Sequence, residues 1–277
     1  MNNKEELLEI AAILVTAIAI LLGACGTSPS AVATATGIPA LSLTPALQLN
    51  PIPTATETMK ELDLVILSDS SLLGVGKYYA AYIEEDLNAT VNLHDEWQGS
   101  LSAKTLLKQL QKEERLRRIL RDSEVVVYFG NPVGSATGDW SCVPRANYVK
   151  DCSPETFSEY QATLEAIVEE ILALRDGAPT IIRATDFYVP VLTQWREAGL
   201  EVECTRCIEN MVAAVHEAAA AQNIPVARVY DALNGPNHDV DPRDMGYIGA
   251  DDIHTSDLGQ QVIASLLREL GYEPVVP

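Results

Sequence analysis

The sequence predicts an α/β domain in which a doubly wound, parallel five-stranded sheet carries helices on both faces. Three observations predict it. From residue 61 onward, short apolar runs alternate with longer amphipathic stretches. The runs are continuous rather than alternating, as in strands buried on both faces of a sheet. No internal repeat and no second linker interrupts the pattern, so residues 61–277 read as one unit, long enough for a single sizeable core.

Residues 1–25 stand apart from that unit. Positions 7–24 are almost wholly apolar and run into Leu21-Leu22-Gly23-Ala24-Cys25. The segment resembles a bacterial lipoprotein signal peptide, in which small residues precede a cysteine that becomes the lipidated N-terminus, here Cys25. Glu5, Glu6 and Glu9 beside Lys4 depart from the usual basic start. An uncleaved membrane anchor is the other reading, since the run is marginal for a span. Either way the domain is expected outside the cytoplasm, at the cell surface and tethered to a membrane. Residues 26–60 are rich in Ser, Thr, Ala and Pro with no periodicity, as in a disordered spacer.

Within the domain, the expected strands are 62–67, 90–93, 124–129, 180–184 and 226–230. Leu64-Val65-Ile66-Leu67 is the clearest of them. The expected helices are 73–87, 101–122, 155–175, 188–199, 207–222 and 256–270. Leu106, Leu107, Leu110, Leu116 and Ile119 give the second an apolar stripe. Ser153-Pro154-Glu155 suits the start of the third, with proline in the first turn. Thr255-Ser256-Asp257 offers caps for the last, whose buried face is Leu258, Val262, Ile263, Leu266 and Leu267.

Charge narrows the function. With 19 Lys+Arg against 39 Asp+Glu, the formal net charge is −20. Such a surface repels phosphate backbones, so no nucleic-acid partner is expected.

The chemistry-bearing residues gather after the strands. Asp69-Ser70 follows the first, a loop from His94 to Gly99 the second and Gly130-Asn131 the third; Asp251-Asp252-Ile253-His254 precedes the last helix. In a doubly wound sheet these loops open on one edge. A serine hydroxyl needs a base to become nucleophilic, and a histidine needs a carboxylate to fix its tautomer. The spacing of Asp251 and His254 lets the carboxylate reach one ring nitrogen while the other faces Ser70. Oxyanion donors are available in the Ser70 and Gly99 N–H groups and the Asn131 amide. Each residue also has a plainer use. Ser70 could cap a helix, Asn131 and Gly99 could be turn residues, and His254 could be structural.

Taken together and in order, these blocks resemble the GDSL/SGNH serine hydrolases. Ser68-Asp69-Ser70 stands for the Gly-Asp-Ser block, Gly99 for the second, Phe129-Gly130-Asn131 for Gly-x-Asn and Asp251-Asp252-Ile253-His254 for Asp-x-x-His, with Thr255, Gly259 and Gln260 in familiar context. The resemblance spans about residues 62–270. It implies a three-layer α/β/α, flavodoxin-like fold and a serine esterase working through an acyl-enzyme on Ser70, without metal or other cofactor. Ser68, Phe129 and Asp252 each replace a glycine of the family pattern, which bears on substrate more than on mechanism. No Gly-x-Ser-x-Gly elbow of the α/β-hydrolase kind is present. The substrate is expected to be a small-molecule or glycan ester, such as an O-acetyl group. A binding module on the same fold, holding glycan without cleaving it, is the competing class.

Apart from Cys25, the cysteines are Cys142, Cys152, Cys204 and Cys207, an even number that suggests two disulfides with three possible connectivities. Pairing neighbours, Cys142 with Cys152 and Cys204 with Cys207, rearranges the chain least and would staple the Trp140 loop after Asn131. A redox pair at Cys204 and Cys207 is the rival, without the thioredoxin-like context. Zinc lacks a second Cys-x-x-Cys. His94 reads as a solvated loop or pocket residue and His216 as structural. The acidic loop around His238 departs from calcium-loop spacing.

Overall fold

The computed structural model describes residues 59–132, 142–143, 148–149 and 154–275. The signal segment 1–25 with Cys25, nearly all of the spacer 26–60, and Cys152 lie outside these residues. Among the described residues no helix is long and apolar enough to cross a membrane.

In chain order, β1 (Lys60–Leu67) leads to α1 (Val75–Leu87), β2 (Ala89–Asp95), α2 (Ala103–Lys112), α3 (Glu114–Asp122) and β3 (Val125–Tyr128). A small antiparallel pair follows, β4 (Cys142–Val143) and β5 (Tyr148–Val149), and then α4 (Ser158–Arg175). The chain closes with β6 (Ile181–Thr185), α5 (Leu192–Glu197), α6 (Glu201–Ala221), β7 (Val226–Ala227), α7 (Val229–Asn234) and α8 (Asp257–Glu269).

The main sheet has the order β2-β1-β3-β6-β7, and every pair in it is parallel. This is the expected three-layer, flavodoxin-like arrangement, with its order reversal between β1 and β3. Successive residues of the central strands bury on opposite faces. Val65, Leu67, Val126, Tyr128 and Ile182 pack with Leu110 of α2, Ile167 of α4 and Met211 of α6. Leu64, Ile66, Val125 and Val127 pack with Tyr79 of α1 and Ile263 and Leu267 of α8. Two faces buried at once explain why β1 and β3 read as continuous apolar runs.

Three expected elements change. The helix expected over 101–122 is two helices, broken at Glu113, whose ψ of 100° leaves the helical region. At about 100° per residue, Leu116 on an unbroken helix would lie about 120° around from Leu110. The break restores both to the core, where they are 3% and 0% exposed. The fifth strand stops at Ala227, because the Asp186 carboxylate takes the Tyr230 N–H at 3.0 Å and starts α7 there. Helix α6 starts at Glu201 rather than 207, and Cys204 continues the buried stripe of Ile208, Met211 and Val215.

Candidate active site

The site forms where the order of the sheet reverses. Leu67 and Tyr128, the last residues of β1 and β3, are register partners, so the two following loops leave side by side. After β1, Asp69 caps a single 3-10 turn, Ser70–Leu72, its Oδ1 accepting the Ser71 N–H at 2.8 Å. The capping role that Ser70 could have filled therefore belongs to Asp69. Ser70 is left at the first position of the turn, where a backbone N–H has no intrahelical acceptor. Its Oγ makes no hydrogen bond among the described residues.

After β3, the Asn131 side chain donates from Nδ2 to Asp69 Oδ2. The Asn131 carbonyl accepts the Ala103 N–H at 2.8 Å, anchoring the start of α2. Gly130 is needed for this approach. A Cβ there would stand 2.6 Å from Leu164 Cδ2 and 2.9 Å from Ala103 Cβ. Phe129 is 1% exposed and belongs to the core on the α1/α8 face, its ring stacked 5.7 Å from that of Phe187. Ser68 is likewise buried, its Oγ donating to the Asp69 carbonyl.

Gly99 lies in the turn spanning 98–101, closed by Leu101 N–H to Gln98 O at 3.1 Å. Gln98 N–H donates to Ser68 O at 3.0 Å, which ties this turn to the segment before Ser70. Gly99 itself is exposed and is not among the residues lining the cavity described below.

The Asp251-x-x-His254 segment is a tight turn. Asp251 Oδ1 accepts the N–H groups of Ile253 at 3.0 Å and His254 at 2.9 Å, while Oδ2 lies 2.5 Å from His254 Nδ1. A carboxylate can only accept, so the proton of this pair sits on Nδ1 and Nε2 remains the basic nitrogen. The His254 ring and the two backbone donors hold the Asp251 carboxyl down at about 2. Asp252 adopts φ +62°, a left-handed conformation that aspartate is one of the few non-glycine residues to tolerate. The turn is fixed from behind. Gly249 N–H donates to His254 O and Ser256 N–H to Tyr247 O, both at 2.8 Å, and Tyr188 OH donates to Ile253 O at 3.1 Å.

Ser70, Asn131 and His254 line one cavity of about 170 Å³. Phe187, Tyr188, Pro190 and Ile253 form its apolar side. Ser70 Oγ and His254 do not hydrogen-bond directly, a looseness common in sites without substrate. A larger hollow of about 420 Å³ involves Leu172, Asn223, Pro225 and Val275, with Glu273 its only acidic or basic side chain. Chemistry rather than volume therefore locates the site.

Other candidates fall elsewhere. His94 belongs to β2 and pairs with Asp63 on β1 at 3.1 Å. His216 bonds Asp186 at 2.9 Å. His238 stacks on Tyr230 and bonds Asp231 at 2.8 Å. Asp241 in the acidic loop accepts from Thr193 N–H and Arg243, and among the described residues no group of three or more His, Cys, Asp or Glu could hold a metal ion. Cys204 and Cys207 are fully buried in α6. The Cys142 side chain lies outside the described residues.

Sequence reasoning passed over Phe187, Tyr188 and Pro190, and gave Asp69 no role of its own. The signal was available, because Asp186-Phe187-Tyr188 follows β6 and so opens on the same edge as the other loops.

No family model and no curated protein matches the sequence. Solved structures do. A lipase from a goat rumen metagenome is similar over 76% of this chain and 98% of its own, at 21% identity and a TM-score of 0.57. A variant of an acetyl xylan esterase from Geobacillus stearothermophilus is similar over 78% and 97%, at 16% identity and a TM-score of 0.53. A lipase/acylhydrolase from Enterococcus faecalis is similar over 76% and 95%, at 19% identity and a TM-score of 0.50. The chain shares their fold. At these identities the likeness speaks for architecture, and the chemistry has to come from the residues themselves.

Proposed function

We propose that the protein is a serine esterase that cleaves carboxylic esters through an acyl-enzyme on Ser70. One observation carries this reading: the uncommitted Ser70 hydroxyl shares a cavity with His254, whose Nδ1 is held by Asp251. The fold shared with a lipase and an acetyl xylan esterase supports it.

In this mechanism, His254 Nε2 takes the Ser70 Oγ proton as Oγ attacks the ester carbonyl carbon. Asp251 stabilises the imidazolium that forms. The Ser70 N–H and the Asn131 amide take up the charge on the carbonyl oxygen. Collapse expels the alcohol with the proton from His254. Water, deprotonated by the same nitrogen, then releases the acid and restores Ser70. No step calls for a metal or other cofactor.

The wider setting belongs to the same proposal. Residues 1–25 direct export and Cys25 carries the lipid, 26–60 form the spacer, and 61–277 form the hydrolase-like domain at the cell surface. Cys142 and Cys152 join Cys204 and Cys207 in two disulfides. The substrate is an O-acetylated glycan or a small acyl ester within reach of the tether.

Fluorophosphonate treatment followed by peptide mass spectrometry tests the chemistry. The expected result is one adduct on Ser70, absent in Ser70→Ala, together with loss of p-nitrophenyl acetate turnover. A folded but unlabelled and inactive protein would overturn the reading in favour of glycan binding.

A further inference from the structure

The apolar side of the cavity is built from stacked rings. Phe129 stacks on Phe187 at 5.7 Å and 18°, and Phe187 stacks on Tyr188 at 5.7 Å and 17°. Phe187 is half-buried and faces the cavity, while Phe129 and Tyr188 are 1% and 4% exposed. Phe187 is therefore backed by core on one side and clamped by a second ring on the other. Burial pushes the Tyr188 phenol above its ordinary range, so the hydroxyl stays a donor and keeps its bond to Ile253 O, one residue before His254.

The space in front of the wall is small. Ligand pockets for larger molecules run from about 300 Å³ upward. At about 170 Å³ this cavity lies well below that range. A short acyl group sits against Phe187 within it, whereas an octanoyl chain has to run past Phe187 and out of it. The acyl group is the part of the substrate bonded to Ser70 in the intermediate, so the cavity containing Ser70 is its place. An alkyl chain also suits Phe187, Pro190 and Ile253 better than a polyhydroxylated alcohol does. The alcohol then lies outward, past the half-exposed Ile253.

We infer that Phe187, buttressed by Phe129 and Tyr188, sets the acyl-chain limit and makes this a short-acyl esterase. The inference rests on the serine-esterase reading and names its substrate class.

The test is kcat/KM for p-nitrophenyl acetate, butyrate and octanoate with the full-length protein, Phe187→Ala and Phe187→Leu. The original protein should prefer acetate or butyrate over octanoate at least tenfold. Phe187→Ala should raise the octanoate-to-acetate ratio at least tenfold. Phe187→Leu, which keeps most of the apolar bulk, should raise it in part and decides the matter if Phe187→Ala does not fold. Equal turnover of acetate and octanoate by the original protein would overturn the chain limit while leaving the esterase standing. So would an unchanged ratio in folded variants. Absence of any turnover together with an unlabelled Ser70 would instead remove the esterase reading itself.

Discussion

The Asp69 carboxylate joins two loops: one oxygen accepts the Ser71 N–H and the other accepts the Asn131 side-chain amide. It thereby sets the turn that presents Ser70 and orients the amide proposed for the oxyanion. With 5% exposure, it has little water to replace either bond.

Asp69→Asn should therefore lower kcat with little change in KM. Asparagine keeps an oxygen for the Ser71 N–H but turns an amide N–H toward the Asn131 donor, so the lost bond adds about 1–3 kcal/mol of destabilisation, readable in urea unfolding. Asn131→Ala should lower kcat on the order of 10²–10³-fold and cost stability as well, since Asp69 Oδ2 loses its donor. Equal effects of Asp69→Asn on kcat and KM would argue that the aspartate merely shapes the loop.

Asp251 gives a pH prediction. Its folded value of about 2 lies below the ordinary carboxylate value near 4, so its stabilising effect is complete above that ordinary value. The effect is lost as pH falls from there through about 2. Assays between pH 5 and 9 thus meet an ionised Asp251, and urea unfolding followed below pH 4 reads the loss. Asp251→Asn removes the anion that favours the imidazolium. It should lower kcat on the order of 10²–10⁴-fold. A kcat left unchanged in the folded variant would argue against the pair.

Gly259 tests the frame behind His254. A Cβ there would stand 2.3 Å from the Tyr247 carbonyl oxygen, a backbone atom of the strap that pairs with the His254 turn. Gly259→Ala should destabilise the protein by about 1–3 kcal/mol and lower activity together with it. Thermal unfolding and ester turnover measured on the same sample check both.

Much of this architecture was legible in the chain. Leu64 to Leu67 announced a strand covered on both faces, and Ser70, Asn131 and the Asp251–His254 pair fell after strands or before the last helix. Hydrophobic period is a local property, set by neighbours one to four residues away, so one sequence displays it. The break at Glu113 was legible too, in the angular mismatch between Leu110 and Leu116, although the five apolar residues around it suggested a single stripe.

The sequence by itself determined the α/β alternation, the strand-end positions of the reactive residues and the bonding of Asp251 to its near neighbour His254. Only the tertiary structure decided which loops meet. Asp69 and Asn131 are 62 residues apart, and Tyr188 and Ile253 are 65 apart. Such contacts depend on sheet order and on which face each strand buries, and neither is written in any local window. The same reason separates Phe129, which packs into the core and backs the cavity wall, from Gly99, which the 98–101 turn leaves exposed.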